Sequence, residues 1–339
     1  MKLIKLLIIL VISMVISGEL FAQDIHFSQF YNAPLTVNPA LTGRIAGSFR
    51  AGINYRNQWP YTFDKLTSYS TPALYFDMPL RFKDKANVIG AGAYVVNDRS
   101  AGGLLTNLTL MASVAYHRGL GKNNNHAISV GVQGGYIQRQ VDQSGLIFGS
   151  DVADLQNFDP TTTSSRTLQN TSISNFDLQA GIMWNSRISK KLNLYAGVSA
   201  YHILEPEHTF AGTTGDDAKL PRRYGINAGA DYKITSKVGL LPSFIYMRQV
   251  NAQEYNFGLS SSIMVNNNTT LFVGAYYRMK DAINPYLGVD LFNVRVGLSY
   301  DANISDLSST NGAFEVSLSY MAKYIELPGV NPSLYCPRF

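Results

Sequence analysis

About fourteen short segments of this 339-residue chain alternate apolar with polar residues, and no other feature restricts its fold so strongly. In Leu108 to Tyr116, one set of side chains is Leu108, Leu110, Ala112, Val114 and Tyr116. The other is Thr109, Met111, Ser113 and Ala115. Phe176 to Asn185 and Phe314 to Met321 repeat the pattern. Successive side chains of a strand point to opposite faces, so one face of each segment meets lipid while the other tolerates water. Segments of about 9–11 residues suffice to cross a bilayer at a tilt. The pattern therefore predicts an all-β, transmembrane, antiparallel β-barrel of about 14 strands.

The connections point the same way. They alternate short and long, as expected of a bacterial barrel with short periplasmic turns and longer outer loops. Ser186–Lys191, Ile234–Lys237, Asn266–Asn268 and the two-residue turn Phe292–Asn293 are short, whereas Arg139–Asn175 and Leu204–Arg223 are long. The competing folds are a soluble β-sandwich and a periplasmic propeller. A sandwich puts Lys, Glu and Thr on its outward face. Here the polar face is mostly Gly, Ser, Asn and Gln, and no fixed-period repeat supports a propeller.

The first residues predict the compartment. Lys2 and Lys5 precede an apolar run from Leu6 to Ile16, which reads as a secretory signal peptide over residues 1–22, cleaved after Ala22. Residues 23–47 contain Pro34, Pro39 and Gly43 without a strand pattern, and form either a periplasmic extension or a plug inside the barrel. The barrel is assigned to 48–322 and a C-terminal periplasmic tail to 323–339. Pro328, Pro332 and Pro337 suit that tail poorly to a strand ladder.

Composition narrows the function. The formal net charge is +5, but Lys and Arg are dispersed, so no nucleic-acid partner is expected. The single cysteine, Cys336, rules out an internal disulfide. No GxSxG, HExxH, P-loop or paired-Cys motif is present, so neither a catalytic residue nor a cofactor is assigned. His117 and His202 invite a hydrolase reading, but chance placement at the membrane interface explains them more simply. Asp151, Asp154 and Asp159 lack regular calcium-ligand spacing, so a solvated loop is the better reading and no metal site is assigned. One cross-strand ion pair is expected inside the barrel. The Phe292–Asn293 turn sets Leu291 against Val294 on the lipid face and Asp290 against Arg295 on the inner face, with Glu315 as a second acidic neighbour for Arg295.

Three groups of residues carry a family resemblance. They are Gln23-Asp-Ile-His-Phe-Ser-Gln-Phe-Tyr, Val37-Asn38-Pro39-Ala40-Leu41-Thr42-Gly43, and Asn54-Tyr55-Arg56-Asn57-Gln58-Trp59. With the closing Cys336-Pro337-Arg338-Phe339, they make the chain resemble the PorP/SprF family of type IX secretion proteins from Bacteroidetes. The resemblance implies an outer-membrane barrel that serves secretion or gliding. Its partners would be membrane lipid, type IX components, and a secreted adhesin whose C-terminal sorting domain it anchors at the cell surface. It also makes Asn38, Pro39, Ala40, Gly43, Arg56, Gln58 and Trp59 candidates for partner contact or for a plug, and Cys336 to Phe339 candidates for partner contact. The alternative is a transport barrel for a small apolar or oligosaccharide solute.

Overall fold

A computed structural model describes residues 24–60, 68–81, 87–121, 124–145, 170–210, 219–305 and 311–323. Fourteen strands form one closed antiparallel barrel in which every strand pairs with its sequence neighbours. They are β1 (Arg50–Gln58), β2 (Tyr69–Arg81), β3 (Asn87–Ser100), β4 (Leu105–Leu120), β5 (His126–Val141), β6 (Ser172–Arg187) and β7 (Leu192–Tyr201). The second half comprises β8 (Arg223–Lys233), β9 (Val238–Gln249), β10 (Ala252–Asn266), β11 (Thr269–Arg278), β12 (Ala282–Leu291), β13 (Val294–Asn303) and β14 (Ala313–Met321). The seam closes between β1 and β14, from Arg50 opposite Met321 to Gln58 opposite Ala313, which leaves no free sheet edge. The predicted signal peptide, the acidic part of the long loop with Asp151, Asp154 and Asp159, and Cys336 to Phe339 lie outside the described residues.

The alternation becomes two physically different surfaces. Leu110, Val198, Leu259 and Val296 face outward and are exposed, as an apolar belt in lipid requires. The inner face is not open to water. Residues 24–45 run down the lumen as an extended chain with three single-turn 3-10 helices, Phe30–Asn32, Pro34–Thr36 and Pro39–Leu41. Phe30, Tyr31, Leu35, Ala40, Leu41 and Ile45 of this segment are buried. They pack on inward aromatic and sulfur side chains. Tyr31 stacks on Tyr276 with ring centroids 5.0 Å apart, and Phe27 and Leu35 join Tyr75, Tyr94 and Met111. The large inward side chains that break the Gly/Ser/Asn/Gln pattern are thus the walls of a packed core. The segment ends at the rim of short turns, where β1 begins. Asp24 lies near the opposite, long-loop rim, beside Arg223 and Gln249.

The wall is uneven. Strands β4, β5 and β6 are each 16 residues long, against 9 or 10 for β11 to β14 and β1. At the long-loop rim the outward face of this crest turns polar: Gln138 donates to Ser172 Oγ, and Tyr136 Oη to Ser174 Oγ.

Candidate functional site: the filled lumen and its mouth

The upper part of the lumen segment is held by buried charge. The Glu315 carboxylate on β14 accepts the backbone N–H groups of Ser28 (2.8 Å) and Gln29 (2.9 Å) and the Asn54 side-chain amide (3.0 Å). Arg56 reaches Asp301 at 2.8 Å and Glu315 at 3.5 Å. Arg278 donates to Asp301 at 2.9 Å, and the Ser28 hydroxyl donates to the same carboxylate at 2.7 Å. Two guanidinium groups and two carboxylates in a desolvated site neutralise one another only if this geometry is kept. The backbone of residues 28 and 29 completes it.

A second anchor lies at the mouth. His202, just beyond β7, contacts Asp24 Oδ2 through Nε2 (2.6 Å) and Asp177 Oδ2 through Nδ1 (2.8 Å). Both ring nitrogens face carboxylates, so the imidazolium is the form that fits. Burial alone lowers its pKa, but Asp24 and Asp177 outweigh burial and raise it to about 9. Burial likewise works against the charged form of Asp24, yet His202 and Arg223 hold that carboxyl well below its usual range.

The lower part is held by shape, by neutral hydrogen bonds around Asn38, and by charge-assisted ones through Asp77 and Arg44. Asn38 caps the third 3-10 turn, its Oδ1 accepting the Ala40 N–H (2.9 Å), while its amide donates to the Val198 carbonyl (3.1 Å) and to Asn227 Oδ1 (3.1 Å). Pro39 begins that turn, and two wall glycines make room for it. A Cβ at Gly131 would lie 2.3 Å from the Pro39 carbonyl carbon, and one at Gly181 2.1 Å from Asn38 Oδ1. Gly43 turns at φ 69° and donates its N–H to Asp77 (2.8 Å), itself held bidentately by Arg50. Arg44 donates to Ser129 Oγ (2.6 Å) and Asn185 Oδ1 (3.0 Å). His117 spans Ser129 Oγ and the Thr42 carbonyl, so it is a lumen strut and not an interfacial residue.

Asn38, Pro39, Ala40, Gly43 and Arg56 therefore meet in the lumen. Gln58 accepts from Arg56 (3.3 Å), whereas Trp59 lies at the long-loop rim against Tyr69. Asp290 and Arg295 face one another inside the barrel as a bidentate pair (2.6 and 2.9 Å) near the turn rim, with Leu291 opposite Val294. Glu315 is not a neighbour of Arg295. The β13–β14 register sets Arg295 against Ser319 and Glu315 against Ser299, so Glu315 serves the lumen segment instead.

Between the top of this segment and strands β3, β4 and β5 lies a cavity of about 140 Å³. Ile25, Phe27, Val96 and Ile137 form its apolar side, while Asp98, Arg139 and His208 form its polar side. Arg139 donates to Asn107 Oδ1 (2.9 Å) and to the His208 carbonyl (2.8 Å). Among the described residues no group of three or more His, Cys, Asp or Glu is placed to hold a metal ion.

The family model of the type IX secretion system membrane protein PorP/SprF matches residues 19–320. The chain belongs to the PorP/SprF family. The motif residues of the PorP/SprF resemblance are thus largely those that pack the lumen. A search of the curated proteins finds no match. Among solved structures, the chain is similar to a deletion mutant of TodX, a monoaromatic hydrocarbon channel from P. putida. The TM-score is 0.54 at 10% identity, covering 86% of this chain and 94% of that one. It is also similar to CymD, another monoaromatic hydrocarbon channel, with TM-score 0.50, 12% identity and coverage of 91% and 96%. At such identities the likeness shows the fold, a membrane β-barrel of the outer-membrane channel kind.

Proposed function

We propose that this protein is a non-enzymatic outer-membrane barrel of the type IX secretion and gliding system. It binds a secreted partner through the partner's C-terminal sorting domain, or the periplasmic secretion machinery, and does not conduct solutes. The observation that carries this reading is the filled lumen: residues 24–45 are bonded to the wall along its length. A barrel whose core is packed like a protein interior is a rigid platform. Export through a cleaved signal peptide, short turns toward the periplasm and long loops toward the outside complete the reading. The tail 323–339 would reach periplasmic partners.

Purification from native membranes, with identification of the chains that accompany the barrel, tests it. A large secreted protein or type IX components are expected. Their absence, together with loss of uptake of a small solute on deletion of the gene, would overturn the reading. The transport alternative draws on one observation, the amphipathic cavity at the mouth. It requires the lumen segment to move, because that segment fills the lumen among the described residues.

A further inference from the structure

Cations that are scattered along the sequence collect at one rim of the barrel. At the β4–β5 hairpin, Arg118 is exposed one turn-ward step beyond the outward Tyr116 and beside the outward Leu120. At the β6–β7 hairpin, Lys190 and Lys191 follow Trp184 and the exposed Ile188. At the β8–β9 hairpin, Lys233 and Lys237 bracket Ile234 and follow Tyr232. At the end of β14, Lys323 follows Tyr320. Among the described residues the partly exposed carboxylate of this rim, Asp290, is held by Arg295, while Asp77 and Asp231 are buried. The long-loop rim is mixed. There Arg222 pairs with Glu205, and Asp142 and Glu207 are exposed alongside Arg99 and Lys280.

We propose that the turn rim is a binding surface for the headgroups of anionic phospholipids in the leaflet it faces. Three features select lipid over a protein partner. Each cation lies a few residues beyond an outward aromatic, about 3 Å of rise per residue, which is the depth of the headgroups below an aromatic girdle. Each hairpin pairs its cations with a large exposed apolar side chain, the arrangement of an interfacial segment that buries carbon and presents charge to phosphate. The cations also recur on hairpin after hairpin along the rim, as a surrounding lipid layer requires. Among the described turns of this rim they fade at β10–β11 and β12–β13, where Val265 and Phe292 are exposed instead. A phosphate-bearing, net-negative headgroup meets several ammonium groups there, while the Asp290 carboxylate is already paired with Arg295.

The test uses the full-length barrel, reconstituted in vesicles of equal phosphatidylglycerol and phosphatidylcholine. It is then extracted in mild detergent, and the retained lipids are counted by mass spectrometry. Phosphatidylglycerol should be enriched by about threefold or more over the vesicle ratio. Extraction in high salt should bring the ratio close to one, and so should the combined Lys190→Gln, Lys191→Gln, Lys233→Gln and Lys237→Gln variant. The matching Lys→Arg variant should keep the enrichment. A set on the other rim, Arg99→Gln, Lys219→Gln, Arg248→Gln and Lys280→Gln, should leave it unchanged. If the fourfold variant fails to fold, Lys190→Gln with Lys191→Gln should show a partial fall, and the salt dependence stands by itself. No enrichment in the unaltered protein overturns the proposal. So does enrichment that survives both salt and substitution, or a variant that loses a co-purifying protein while keeping its lipid ratio.

Discussion

The two ends of the lumen segment are fastened by different chemistry. Near the long-loop rim, residues 24–29 are held by ions: Asp24 by His202 and Arg223, and the backbone of Ser28 and Gln29 by Glu315 within the Arg56–Asp301–Arg278 cluster. Near the turn rim, residues 38–44 are held by close backbone approach at Gly131 and Gly181, by the Asn38 cap, and by hydrogen bonds from Gly43 and Arg44. Ionic anchors respond to pH and to the loss of one partner, whereas close packing responds to added volume. The difference makes the upper end, with His202, the one that rising pH can loosen, and the lower end the fixed point in that range.

Removing one charge at the upper end should have the largest effect. Glu315→Ala strips the Ser28 and Gln29 N–H groups of their acceptor and leaves Arg56 partly uncompensated. It should lower resistance to urea by about 3–5 kcal/mol. A loss no larger than that of a surface substitution would break the contrast. Next comes pH. The His202 pKa of about 9 in the folded barrel exceeds its ordinary value of 6.5, so its stabilisation is fully present below pH 6.5 and is lost as pH rises through 9. At pH 7 this contributes about 2–3 kcal/mol. Between pH 7 and 10 the urea midpoint should therefore fall more in the unaltered protein than in His202→Ala, and parallel falls would remove the ionic anchor from the comparison.

At the lower end, Gly131→Ala presses a methyl group on the Pro39 carbonyl. It should cost about 1–3 kcal/mol, and the loss should be the same at pH 7 and pH 10. A pH-dependent loss would show that the two ends are not independent. The smallest effect is expected at Asp290→Asn, since the Asp290 side chain is 33% exposed and touches neither end of the segment. A change of about 0–1 kcal/mol in the same urea titration would mark it as a wall pair, while a larger one would tie it to the lumen.

The wall is legible in the sequence because period-two alternation and turn spacing are local signals. The alternating segment Phe314 to Met321 lies within β14, and β12 and β13 keep the register expected from the Phe292–Asn293 turn. Most other strands run a few residues beyond their apolar cores, as in β4 to Leu120 and β6 from Ser172, because ladder hydrogen bonds continue past the lipid belt. The inside is less legible. Asn38-Pro39-Ala40 and Gly43 stand out, but whether residues 23–47 lie inside the barrel or outside it depends on partners that are distant along the chain, such as Asp77, Ser129, Asn227 and Glu315. Glu315 suggests itself as a partner for Arg295 because both face inward at the same seam. The finer register, which separates them by four residues along β14, is a property of the closed sheet. His202 and Asp177 carry no motif. Their signal is only that charged residues on the inner face of a barrel require counterparts.

A disulfide across the lumen tests the filled barrel most directly. Thr42 and Ser113 touch through their hydroxyl oxygens, one on the lower end of the segment and the other on β4. With Cys336 replaced, Thr42→Cys and Ser113→Cys should form a disulfide under mild oxidation in native membranes, seen as a reducible mobility shift. Neither single variant should react with a membrane-impermeant thiol reagent while the barrel is folded. Failure to cross-link, with the Thr42→Cys thiol open to that reagent, would place residues 24–45 outside the lumen and contradict the filled barrel.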